Sequence, residues 1–121
     1  MQRELLNNWL EALRSGKYPQ TVGVMRGLLH EDDDGTPLDE PKMGYCCLGV
    51  LCDVVDPKGW ENEESGDHAL ESDTEAYLRP SALETVGLTD TVQRELATMN
   101  DDGAPFTEIA DQIEESVKAT D

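Results

Sequence analysis

Basic residues are scarce in this chain. Nine Lys and Arg stand against 27 Asp and Glu over 121 residues, a formal net charge of −18. Such a surface repels phosphates, which argues against direct contact with nucleic acid or with anionic lipid. Aromatic residues are few as well, with one Phe, two Trp and three Tyr, so the core must be mainly aliphatic. No apolar run approaches the ~20 residues that a membrane-spanning helix needs. The opening Met1-Gln2-Arg3-Glu4 lacks the basic-then-apolar layout of a secretion signal. Cysteines number three, and Cys46 and Cys47 are neighbours that cannot easily bridge each other, which points to reduced thiols in a cytosol. The length suits one domain, numbered 1–121, with a single core.

Catalytic signatures are also missing. There is no Gly-x-Ser-x-Gly elbow, no Walker loop and no His-Glu-x-x-His. Acids are so abundant that no pair of carboxylates stands out, and the expectation is a protein without catalytic activity or cofactor. The three cysteines do not spell a zinc site, which uses spaced pairs and a second pair elsewhere. Buried free cysteine is a common apolar filler, and packing is the better reading here. Asp32-Asp33-Asp34-Gly35 suggests a calcium loop until its ends are counted. With Gly35 in the sixth position, the first is His30 and the twelfth is Pro41, so both terminal carboxylates are absent. No metal site is expected.

What the chain does contain is a dense apolar centre. Tyr45-Cys46-Cys47-Leu48-Gly49-Val50-Leu51-Cys52-Asp53 must be buried, and Leu48, Leu51, Cys52 and Val55 fit a short helix closed by Asp56-Pro57. Leu5, Leu6, Trp9, Leu10 and Leu13 recur at helical spacing over Arg3 to Ser15, and Gly16 supplies a left-handed cap. Thr21 to Arg26 alternates like a strand, with Met43 to Cys46 pairing back on it. His30 to Lys42 (30–42) and 60–75 read as acidic loops, with Trp60 and Ala76-Tyr77-Leu78 as strand fragments. Pro80 opens a helix capped by Gly87, Thr89 caps one carrying Val92, Leu96 and Met99, and Pro105 opens the last. In that last helix Phe106, Ile109, Ala110, Ile113 and Val117 form the buried stripe. The sum is a single α+β domain of about four helices and a small antiparallel sheet, its Cys46 to Val55 centre packed by the first and last helices.

The order of these motifs resembles a widespread family of small phage and prophage proteins of unassigned function. The likeness rests on Trp9, Leu13 to Tyr18, Gln20, the Tyr45 to Asp53 core motif, Trp60, Tyr77 to Pro80, Gly87-Leu88, Leu96 to Gly103, and Phe106 to Asp111. One departure is Pro105, where relatives tend to place Ser or Thr. The resemblance implies a viral context and action in the host cytoplasm, and it brings no catalytic residues with it.

Two functions follow as expectations. The first is a viral accessory protein that binds a host or viral protein, such as a defence protein, through its polyanionic surface. That acidity is read either as adaptation to a salty, halophilic cytosol or as imitation of nucleic acid. The second is a module that sequesters an anionic nucleotide or signalling molecule. Its candidate residues are Arg14, Lys17 and Tyr18 after the first helix, Arg26 on the first strand, and Tyr77 and Arg79 before Pro80.

Overall fold

The computed structural model describes residues 1–22, 24–31, 35–60, 68, 70 and 77–119. Five helices and one hairpin follow in the order α1 (Arg3–Arg14), β1 (Arg26–Glu31), β2 (Pro37–Tyr45), α2 (Cys47–Val55), α3 (Pro80–Val86), α4 (Asp90–Asp101) and α5 (Phe106–Ser116). The α+β class is as expected. Five helices form where about four were expected.

The helices begin and end for local reasons. Pro80 sits in the first turn of α3, and Gly87 ends that helix at φ 82°. The Thr89 hydroxyl accepts from the Val92 N–H at the start of α4. At α2 the cap is a thiol: Cys46 Sγ accepts from the Gly49 N–H at 3.3 Å. Gly49 itself is required by a close approach. A Cβ built there would lie 1.9 Å from the Met25 carbonyl oxygen, which also accepts the Cys46 N–H at 3.0 Å.

α2 is the buried centre, with Leu48, Val50, Leu51 and Cys52 fully enclosed. α1 packs Leu6, Trp9, Leu10 and Leu13 inward, and the Trp9 indole donates to the Cys47 carbonyl at 3.0 Å. The neighbours of α2 are mainly α1 and α4, while α5 lies against α1 and α4. The last helix therefore joins the core mainly through α1 and α4 and not through the expected packing on α2.

The hairpin differs most from expectation. β1 is Arg26–Glu31 and not Thr21–Arg26, and β2 begins at Pro37, inside the 30–42 segment that reads as a loop. The two strands pair antiparallel from Arg26–Tyr45 to Glu31–Pro37, with an irregularity between Leu29 and Glu31. Much of this ribbon is exposed on both faces, so it lacks the apolar–polar alternation that marks a half-buried strand, and Pro37 and Pro41 hide it further. The acidic loop expected at 60–75 lies mostly outside the described residues, as do Asp32-Asp33-Asp34. Trp60 makes a single antiparallel bridge with His68. Ala76 is outside the described residues, and Leu78 is a lone bridge residue.

Candidate functional site

The base of the hairpin and the end of α2 bring six chemically capable side chains together. Tyr18 donates its hydroxyl to one Asp53 oxygen at 2.6 Å, and the Trp60 indole donates to the other at 3.1 Å. Tyr45 stands edge-on to both Tyr18 and Trp60, at ring distances of 4.9 and 6.0 Å. The Arg26 guanidinium lies 4.2 Å above the Trp60 ring, and His68 meets the same ring edge-on at 4.6 Å. Local sequence explains the convergence. Asp53 directly follows Cys52, the last buried residue of α2, and is itself only half-buried, while Tyr45 ends β2.

Every polar atom of this cluster that the geometry resolves is committed. Leu70 N–H donates to His68 Nδ1 at 3.0 Å, so Nε2 carries the proton and donates to the Asp56 carbonyl at 2.9 Å. Gly59 makes room for that ring, since a Cβ there would lie 2.5 Å from Nε2. Burial, followed by the hydrogen bond to Asp53, pushes the Tyr18 phenol well above the ordinary tyrosine value. Tyr45 is also raised, first by burial and then by the Asp53 charge, against an opposing hydrogen bond with Arg26. Neutral, hydrogen-bonded phenols of this kind are poor bases. The arrangement holds the hairpin to α2 and offers no nucleophile.

A second polar group lies under α4. Asn100, fully buried, accepts from Gln20 Nε2 (3.0 Å) and the Cys47 N–H (3.2 Å), and donates to the Thr21 carbonyl (2.8 Å). Gln20 also donates to the Ala104 carbonyl at 2.7 Å. One amide thus ties α4, the start of α2 and the segment before β1. Gln93, also buried, accepts the Leu78 N–H at 2.9 Å and fixes the approach to α3.

The third feature is open. A cleft of about 600 Å³ at the α4–α5 junction is lined by Met99, Ala104, Pro105 and Gln112 together with the acids Asp102, Glu108, Asp111 and Glu115. No Lys or Arg lines it. Arg14 reaches its flank, donating to Asp111 at 2.9 Å and to Glu114, and these carboxylates hold the guanidinium above its usual value. Among the described residues no ion pair reaches Asp102, Glu108 or Glu115.

The six residues singled out in the sequence fall on different parts of the molecule. Tyr18 and Arg26 join the aromatic cluster, where Arg26 is 8% exposed. Arg14 serves the α1–α5 seam. Tyr77 lies under Arg94 of α4 at 4.9 Å, and Arg79 precedes α3, with its N–H bonded to the Leu70 carbonyl. Lys17 is exposed in the turn after α1, where its N–H donates to the Ser15 hydroxyl. Sequence reasoning missed Asp53, Trp60 and Asn100 as organising residues. The available signal was an acid closing an apolar helix and an amide just before a helix stop.

The thiols are enclosed. Cys46, Cys47 and Cys52 are free and buried, Cys47 Sγ contacts the Leu96 carbonyl at 3.6 Å, and burial raises its thiol well above the usual value. Among the described residues no group of three or more His, Cys, Asp or Glu is placed to hold a metal ion. Nor is any helix there long and apolar enough to cross a membrane.

Comparison with known proteins gives one match. A family model described as Domain of unknown function (DUF8296) covers residues 1–82. No curated protein and no solved structure matches the chain.

Proposed function

We propose that this chain, which belongs to the DUF8296 family, is a non-enzymatic binding protein that presents an acidic surface to a basic partner. The observation that carries the reading is the α4–α5 cleft, which three carboxylates without an ion pair, Asp102, Glu108 and Glu115, line together with Met99, Ala104 and Pro105, and which no Lys or Arg lines. Arginines elsewhere are spent internally: Arg14 on Asp111 and Glu114, Arg94 on Asp90, Arg26 on Trp60. Concentrated charge of one sign steers a partner of the other sign and sets specificity more than raw affinity. In the finer version of the reading, the protein is a phage-type accessory factor of the host cytoplasm. Its partner there is a host or defence protein with a nucleic-acid-binding groove. The resemblance of the Tyr45 to Asp53 motif to phage proteins supports that version.

Competition tests it directly. A basic nucleic-acid-binding domain is titrated with the protein in the presence of labelled DNA, at low and at molar salt. Displacement of the DNA at low salt, weakened about tenfold when Asp102, Glu108 and Glu115 are changed to Asn and Gln, fits the proposal. Undiminished displacement by that variant removes the cleft from the account. The alternative is capture of an anionic nucleotide, favoured only by Tyr18 and Arg26 sharing one cluster. A thermal-shift screen with nucleotides tests it, since ligand at 100 times its Kd stabilises by about 2.7 kcal/mol.

A further inference from the structure

The hairpin has two outer edges, and they are treated differently. Along β2 the Tyr45 N–H and C=O are taken by Pro19 (2.8 Å) and Thr21 (2.9 Å), so residues 19–21 cover the base of that edge. Farther out, Pro37 and Pro41 have no N–H, so β2 lacks two backbone donors. β1 carries no such guard. The Cys46 N–H bonds the Met25 carbonyl, so the intervening Arg26–Tyr45 pair is of the non-hydrogen-bonded kind. Alternation then turns Gly27 toward β2 and Leu28 away from it. Among the described residues no backbone group meets the Leu28 N–H or C=O.

Apolar surface gathers at the same place. The large exposed hydrophobics are Val22 (53%), Val24 (44%) and Leu28 (38%). Val24 lies over Gly27, its Cγ2 3.2 Å from where a Cβ would be. β1 has no proline, and its one buried charge, Arg26, sits at the base against Trp60, so the stretch around Leu28, flanked by exposed aliphatics, is a template for another strand. Residues 26–45 also hold six acids against two basic residues, which selects the charge of whatever docks.

We infer that β1 receives an extended segment of a partner protein, apolar at alternate positions and basic between, which adds a third strand through the Leu28 backbone. The basic character rests on the acidic-surface reading above; the edge geometry does not. Main-chain bonds give such a complex its affinity and the alternating side chains its selectivity. A two-stranded ribbon is marginal by itself, so a third strand also orders the hairpin.

The test uses two probes on the full chain: a short peptide alternating Val and Lys, and decalysine. Amide hydrogen exchange at Leu28 should slow at least about tenfold with the alternating peptide and stay unchanged with decalysine. Leu28→Pro removes only an outward donor, so it should weaken the alternating peptide about tenfold while decalysine binds as before. Binding of the alternating peptide with unaltered Leu28 exchange overturns the edge proposal and leaves the acidic-surface reading standing. Failure of both peptides to bind overturns both. Concentration-dependent protection of Leu28 without any peptide overturns it in favour of a second copy of the chain on this edge.

Discussion

The aromatic cluster and the α4–α5 cleft hold the same chemical currency, carboxylates, in opposite states. Asp53 has both oxygens occupied by Tyr18 and Trp60, within a shell of Tyr45, Arg26 and His68. Asp102, Glu108 and Glu115 are exposed beside Met99 and Ala104, with no Lys or Arg lining the cleft. A satisfied, partly desolvated carboxylate fixes geometry, because removing one partner strands the others. An exposed and uncompensated one adds little to stability and is free to meet a partner's charge. The first region therefore specifies the fold, and the second is where association is expected.

Substitutions break this division in a graded order. The largest effect belongs to α2, beneath both regions. Leu51→Asp places an unpaired charge at a fully buried site, costing several kcal/mol of a total of about 5–15, and cooperative melting should vanish. Gly49→Ala forces a methyl onto the Met25 carbonyl and should cost about 3 kcal/mol in a denaturant titration. Asn100→Ala strands the Cys47 N–H and the Thr21 carbonyl together, a loss of about 3 kcal/mol by the same measurement.

Tyr18→Phe is milder, about 1–2 kcal/mol at neutral pH, and it carries a pH signature. The folded phenol value lies above the free one of 10.0, so its contribution is complete below pH 10 and is lost as pH rises through the folded value. Wild type should therefore lose stability more steeply than Tyr18→Phe above pH 10. Smallest of all is the cleft. Glu108→Gln with Glu115→Gln should shift stability by less than about 0.5 kcal/mol, toward greater stability at low salt. The rise of melting temperature with salt should flatten slightly in that variant, since part of the self-repulsion is gone. A loss comparable to that of Asn100→Ala would show that the cleft acids are structural.

The sequence made the helices legible because their signals are local. Leu6, Trp9, Leu10 and Leu13 mark one face, Pro80 and Thr89 mark starts, and Gly16 and Gly87 mark ends. The hairpin was legible only at its base, where Met43 to Tyr45 pairs back beside Arg26. A ribbon exposed on both faces imposes no alternation, so Pro37 to Lys42 reads as loop, and only pairing across the register reveals a strand. The sites were hidden for a related reason. Tyr18 is far in the chain from Asp53 and Trp60, and Asn100 looks like an ordinary helix stop until Gln20, Thr21 and Cys47 surround it. Charge, in contrast, was plain from composition, but its concentration around one cleft depends on how α4 and α5 meet.

The central claim is that the cleft receives cationic partners while the aromatic cluster stays closed. Amide and indole shift mapping by nuclear magnetic resonance during a decalysine titration tests both halves at once. Perturbations concentrated on Asp102, Gly103, Glu108 and Glu115, with the Trp60 indole N–H unmoved, are the predicted result. A moved Trp60 indole with a silent cleft would contradict it.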